Sequence, residues 1–143
     1  MDVRQKVNRI KKKYGTSDPY EIASGMGILV LFEDLGNMNG YYNKPYRIKQ
    51  IHINYNLSEH IQKFTCAHEL GHCIQHPNVN TMFLRNNTLL SVNKYEIEAN
   101  KFAIELLLPD ELLLEYRNRE FTVEQIARIT GYHKKLIELR IKD

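Results

Sequence analysis

The stretch Phe64-Thr65-Cys66-Ala67-His68-Glu69-Leu70-Gly71-His72 decides how the rest of the chain is read. It is largely apolar and holds two histidines four residues apart. At about 3.6 residues per turn, such a pair lies on one face of a helix. Two imidazoles placed there can close on one metal ion without bending the backbone. Glu69 follows His68 directly, so it falls beside the ion rather than on it. From there it can take a proton from a water that the ion acidifies. The pattern is H-E-x-x-H, the signature of zinc hydrolases.

Two histidines do not complete a catalytic zinc site, which needs three protein ligands and an open position. The candidates downstream are His76, Glu96, Glu98 and Glu105. His76 lies about 12 Å along the axis from His68, too far to share one ion easily. It reads as a helix-end histidine that meets the dipole or supports a ligand. A second long helix is predicted from Asn93 to Leu108, stopped by Pro109. Phe102, Ala103 and Leu106 supply its packing side. Glu98 falls at the edge of that side, with Glu96 about 160° round from it. Glu98 is therefore the expected third ligand.

Outward from this pair of helices, the chain alternates strand and helix signals. Val3, Val7 and Ile10 recur at helical spacing, so about 2–14 reads as a helix with a basic end at Lys11-Lys12-Lys13. Asp18-Pro19 starts a short helix that Gly25 or Gly27 ends. Ile28 to Phe32 reads as a strand, and Asn39-Gly40 as a turn into a second at Tyr41-Tyr42. Ile51-His52-Ile53-Asn54-Tyr55 alternates, which predicts a half-exposed third strand with the isoleucines and Tyr55 on one face. Ser58 caps the first long helix, which runs to His76. His52 and His60 carry no specific signal and read as surface or strand-face residues. From Pro77 to about Val92 the chain is a polar loop of a length that is often functional.

The C-terminal stretch from Phe121 to Arg140 has the pattern of a helix-turn-helix. Thr122 can cap the first helix, and Gly131 sits at the turn. Lys134, Lys135, Arg140 and Lys142 would make the second helix basic. The plain alternative is a helical pair that completes the core or docks a protein substrate. The expected organisation is a metal-binding domain over 1–109 and a helical, helix-turn-helix-like subdomain over 110–143.

The bulk properties suit an ordinary globular protein of 143 residues, 43% hydrophobic and 26% charged. No apolar run approaches the roughly 20 residues that cross a bilayer. The N-terminus shows no signal-peptide pattern. Cys66 and Cys73 lie seven residues apart on one helix, about 10 Å along its axis and beyond disulfide reach. Reduced thiols and no export signal point to the cytoplasm. The net charge of +3 permits contact with nucleic acid without arguing for it.

The run from Phe64 to His72, followed by Glu98-Ala99-Asn100-Lys101-Phe102-Ala103 and then Leu106-Leu107-Leu108-Pro109, closely resembles the ImmA/IrrE family of zinc metallopeptidases. Asn39-Gly40-Tyr41 and Ile51-His52-Ile53-Asn54 resemble the family's strand region. The resemblance implies an α+β, zincin-like core, a small twisted sheet beside two metal-binding helices. Carried over by position, it implies Zn²⁺ on His68, His72 and Glu98, with Glu69 as the catalytic glutamate. The short chain resembles the ImmA kind more than the longer IrrE regulators. Members of that kind cleave the repressor of their own phage or integrative element. The implied partner is thus a protein substrate, a helix-turn-helix repressor encoded nearby. Tyr95, Tyr41 and His52 are candidates for steadying the oxyanion, and the strand at 51–55 could pair with an extended substrate. The competing readings are a DNA-binding regulator with a structural metal, and an antirepressor that holds its partner without cutting it.

Overall fold

The computed structural model describes residues 1–84 and 93–142. The second half of the polar loop, 85–92, lies outside the described residues. The elements run α1 (Val3–Tyr14), α2 (Pro19–Gly25), β1 (Leu29–Glu33), β2 (Gly40–Asn43), β3 (Gln50–Asn54), α3 (Glu59–Gln75), α4 (Lys94–Leu107), α5 (Asp110–Asn118), α6 (Val123–Thr130) and α7 (Lys134–Ile141). The fold is α+β and zincin-like, with a small sheet beside two long helices.

The helix ends follow local chemistry. Asp2 and Thr122 each form a capping box with the Gln three residues on, at Gln5 and Gln125. Asp18, Ser58 and Asn93 cap α2, α3 and α4 through their side chains. Gly131 closes α6 at φ 77°, a left-handed backbone that favours glycine.

The sheet has the order β1-β3-β2, with β1 parallel and β2 antiparallel to β3. This corrects the expectation of a half-exposed third strand. The central strand is buried on both faces from Ile51 to Asn54. Ile51 and Ile53 pack into the main core with Cys66, Ala67 and Leu70 of α3. His52 points the other way and stacks on Tyr41 at 4.2 Å, with Glu33 and Asn43 on its two ring nitrogens. It is a buried tie across three strands, not a surface histidine. The strand stops one residue early because the Asn54 amide turns back to the carbonyls of Gly36 and Met38, and Tyr55 is exposed. With β1 and β2 on its two sides, β3 has no free edge for a substrate.

The main core joins α1, α2, the sheet, α3 and α4. A second apolar cluster uses the far end of α4, where Ile104 and Leu108 meet Leu113, Ile126, Leu136 and Ile137. Arg140 is buried there. It donates to the Leu108 carbonyl and to Asp110, and Glu105 lies 3.4 Å away. Arg140 therefore fastens α7 to the end of α4 and is not part of a basic recognition face. Cys66 and Cys73 are buried and form no disulfide. Among the described residues, no helix is long and apolar enough to cross a membrane.

Candidate metal centre

The centre is built where α3 and α4 pack most closely. A Cβ at Gly71 would lie 3.0 Å from Phe102 Cβ, so the glycine of the motif is where the second helix leans on the first. His68 and His72 occupy the same side of α3, four residues apart, as the spacing predicts. Across from them stands Glu96, buried in the first turn of α4. Its carboxylate reaches His72 Nε2 at 2.7 Å and His68 Nε2 at 3.2 Å. One ligand atom from each of these three residues lies within 4.8 Å of the others.

Glu98, the expected third residue, does not stand with His68 and His72; Glu96 does. Glu98 is part-exposed and meets His76 at 3.4 Å, away from His68. The reason is the rotation of α4. Its inner side runs through Glu96, Ala99, Asn100 and Ala103, the i, i+3, i+4, i+7 set, all buried. Small alanines let the helices approach, and Glu96 rides at the head of that stripe. Centring the packing side on Phe102 favours Glu98, which lies about 160° round from Glu96. Glu105 is buried near Arg140 in the second cluster.

Two residues orient the histidines. His68 Nδ1–H donates to Asn100 Oδ1 at 2.8 Å, which leaves Nε2 turned toward Glu96. His72 Nδ1 lies 3.0 Å from His76 Nδ1, and His76 Nε2 faces Glu98. His76, at the helix end, thus stands between His72 and Glu98. Asn100, four residues after Glu96, was legible as a same-side partner but was not singled out.

Glu69 lies beside the trio, its Oε2 4.0 Å from His68 Nε2. Thr81, after α3, places its hydroxyl 3.0 Å from Glu69 Oε1 and accepts from the Tyr42 amide. Nothing in the sequence singled out Thr81 beyond the length of its loop. Tyr41 and His52, candidates for the oxyanion, pair with each other on the sheet face turned from α3. Tyr95 packs against His76 at 4.7 Å.

The electrostatics suit a cation. Burial pushes Glu69 up to about 7, with His68 and Thr81 pulling the other way. Burial works against the Glu96 charge as well, yet His68 and His72 hold it down at about 2. Burial lowers His72 to about 4. At His68 burial also disfavours charge, but Glu96 and then Glu69 outweigh it and raise it. Glu96 Oε2 is buried with no hydrogen-bond partner, although a ring nitrogen stands 3.2 Å away. Two imidazole nitrogens and an unsatisfied carboxylate oxygen turned to one point are a donor set that fits a divalent metal.

A histidine pair and a carboxylate on two packed helices, with a second carboxylate beside them and a small sheet behind, are a group that could hold a metal in a zincin-like fold. The chain belongs to the Peptidase_M78 family (IrrE N-terminal-like domain), whose model matches residues 23–142. It is 46% identical over 139 residues to the uncharacterized immunity region protein 2 of Bacillus phage phi105, across 96% of this chain and 88% of that protein. It is 39% identical over 129 residues to metallopeptidase ImmA of Bacillus subtilis (strain 168), across 87% of this chain and 75% of that protein.

Proposed function

We propose that this protein is a zinc endopeptidase that cuts the transcriptional repressor of a phage or related mobile element, and so relieves repression. The buried His68, His72 and Glu96 cluster with Glu69 alongside carries the reading. Membership of a peptidase family and likeness to a phage immunity-region protein support it.

His68, His72 and Glu96 would hold the ion. Zn²⁺ supplies Lewis acidity, which polarises a carbonyl and brings a water's pKa to roughly 7. Glu69 would act as the base. From its place beside the ion it would take the proton and later return it to the leaving amine. Thr81 fixes the carboxylate's direction through its hydroxyl.

The substrate backbone would lie along β2 rather than β3. The amide and carbonyl of Tyr42 point outward to Thr81. By the two-residue repeat, the peptide groups of Gly40 point outward too, toward the cleft. Gly40 has no room for a side chain, since a Cβ would lie 2.5 Å from the His52 carbonyl oxygen.

The test is co-expression with the repressor encoded beside it, with and without Glu69→Gln. A truncated repressor should form only with the unaltered chain, while Glu69→Gln still binds zinc. Undiminished cleavage by that variant would overturn the mechanism. Relief of repression by it without cleavage would favour capture of the partner instead.

A further inference from the structure

We propose that the cavity between the first half of α3 and the turn joining α6 to α7 selects the substrate, by taking one large apolar side chain of an extended polypeptide beside the bond to be cut. The inference rests on the peptidase reading above and names the feature of the substrate that this site would recognise.

The cavity has a volume of about 420 Å³. That is within the range of pockets that enclose small ligands, roughly 300–1,000 Å³. It has room for one aromatic or branched side chain with its adjoining backbone. His68 and Glu69 form one end of it. A side chain seated there holds its own peptide group next to the base. Ile61, Phe64, Tyr132 and Leu136 supply apolar walls, and Gly40 lines the sheet side. The cavity is therefore continuous with both the candidate metal centre and the outward edge of β2.

The wall contributed by the C-terminal helices is fixed. The Tyr132 ring stacks on His60 at 4.8 Å and stands 6.1 Å from Phe64. Gly131, just before it, has φ 77°, and a Cβ there would come 2.9 Å from His60 Nε2. A larger residue at the turn would have to displace the His60 ring on which Tyr132 stacks. In a DNA-reading helix-turn-helix, the start of the second helix is presented to the groove. Here the turn that leads into that helix lines the cleft beside Glu69.

Isothermal titration of the zinc-loaded full chain with glycine hydroxamate and phenylalanine hydroxamate tests this. The two probes share a metal-binding group and differ by one benzyl side chain. The phenylalanine probe should bind roughly 10- to 100-fold more tightly, the gain from burying one aromatic side chain. Ile61→Trp, a substitution at a residue 42% exposed, narrows the cavity and should bring the ratio toward one. Tyr132→Ala removes a wall and should lower the ratio as well. Equal affinities in the unaltered chain, or a ratio that survives both substitutions, overturns the proposal and leaves the metal reading standing. Failure of both probes to bind overturns the metal reading and this proposal with it. Displacement of the phenylalanine probe by duplex DNA, weakening as salt rises, would give this surface to nucleic acid and overturn the proposal.

Discussion

Two groups of charged side chains sit at opposite ends of α4, and they are balanced differently. One is wholly buried, and the other runs from buried Arg140 and Glu105 out to half-exposed Asp110 and Arg4. At the far end, Arg4, Asp110, Arg140 and Glu105 form a chain of contacts with two cations and two anions. That group is neutral within itself. At the near end, Glu96 and Glu69 face two imidazoles. Among the described residues no lysine or arginine pairs with either carboxylate, so only imidazoles stand against their charge. Buried charge by itself therefore does not mark a functional site. The distinguishing sign is a pair of buried carboxylates that face imidazoles rather than a permanent cation.

The sharpest way to test this contrast is to remove the metal. A bound ion at a thousandfold excess over its Kd adds about 4 kcal/mol, which for a chain of this size is roughly 10 °C in Tm. Melting with and without a chelator should show that drop. Glu96→Gln should abolish most of it and Glu98→Gln should leave most of it. Equal effects from the two would mean that α4 is turned differently.

Arg140→Met attacks the other end. Removing one partner leaves two carboxylates near an apolar core, which costs about 3 kcal/mol. Urea unfolding should show that loss with zinc content unchanged. A loss of zinc would join the two ends and break the contrast.

Asn100→Leu should weaken zinc about 10- to 100-fold in a competition titration, because His68 loses the partner that sets its tautomer. A change below about threefold would show that Asn100 only packs.

The smallest effect belongs to Asp110. Arg140 is the main cause that holds its carboxyl below the ordinary range, with burial opposing and Arg4 assisting. A depressed carboxyl adds stability above its unfolded pKa and loses it as pH falls through the folded one. Asp110→Asn should thus cost most near neutral pH and converge with the unaltered chain under acid. Asp110 is half-exposed, so screening keeps the cost under about 1 kcal/mol. A difference that grows toward acid would contradict the ion pair.

What could be read from the sequence was mostly what lies within a single element. The His68–His72 face follows from one helix's period. The caps at Asp2, Ser58, Asn93 and Thr122 follow from local hydrogen bonding. The choice between Glu96 and Glu98 depends on how α4 is rotated against α3, and no spacing within either helix contains that angle. β3 misled for a similar reason. The alternation of Ile51, His52, Ile53 and Asn54 signals one wet face, but Glu33 and Asn43 from neighbouring strands bury His52. Arg140 looked like a surface cation because Glu105 and Asp110 are distant in sequence. Thr81 became visible only when its loop closed on Glu69.

Thr81 has a consequence of its own. Its hydroxyl has a single proton, and two acceptors stand within reach, Glu69 Oε1 at 3.0 Å and the Tyr42 carbonyl at 3.2 Å. Turned toward the carboxylate, that proton holds the base's pKa down. Turned toward the strand, it releases that hold. Rotation about one Cβ–Oγ bond thus couples the strength of the base to the edge strand, and isosteric Thr81→Val would uncouple them.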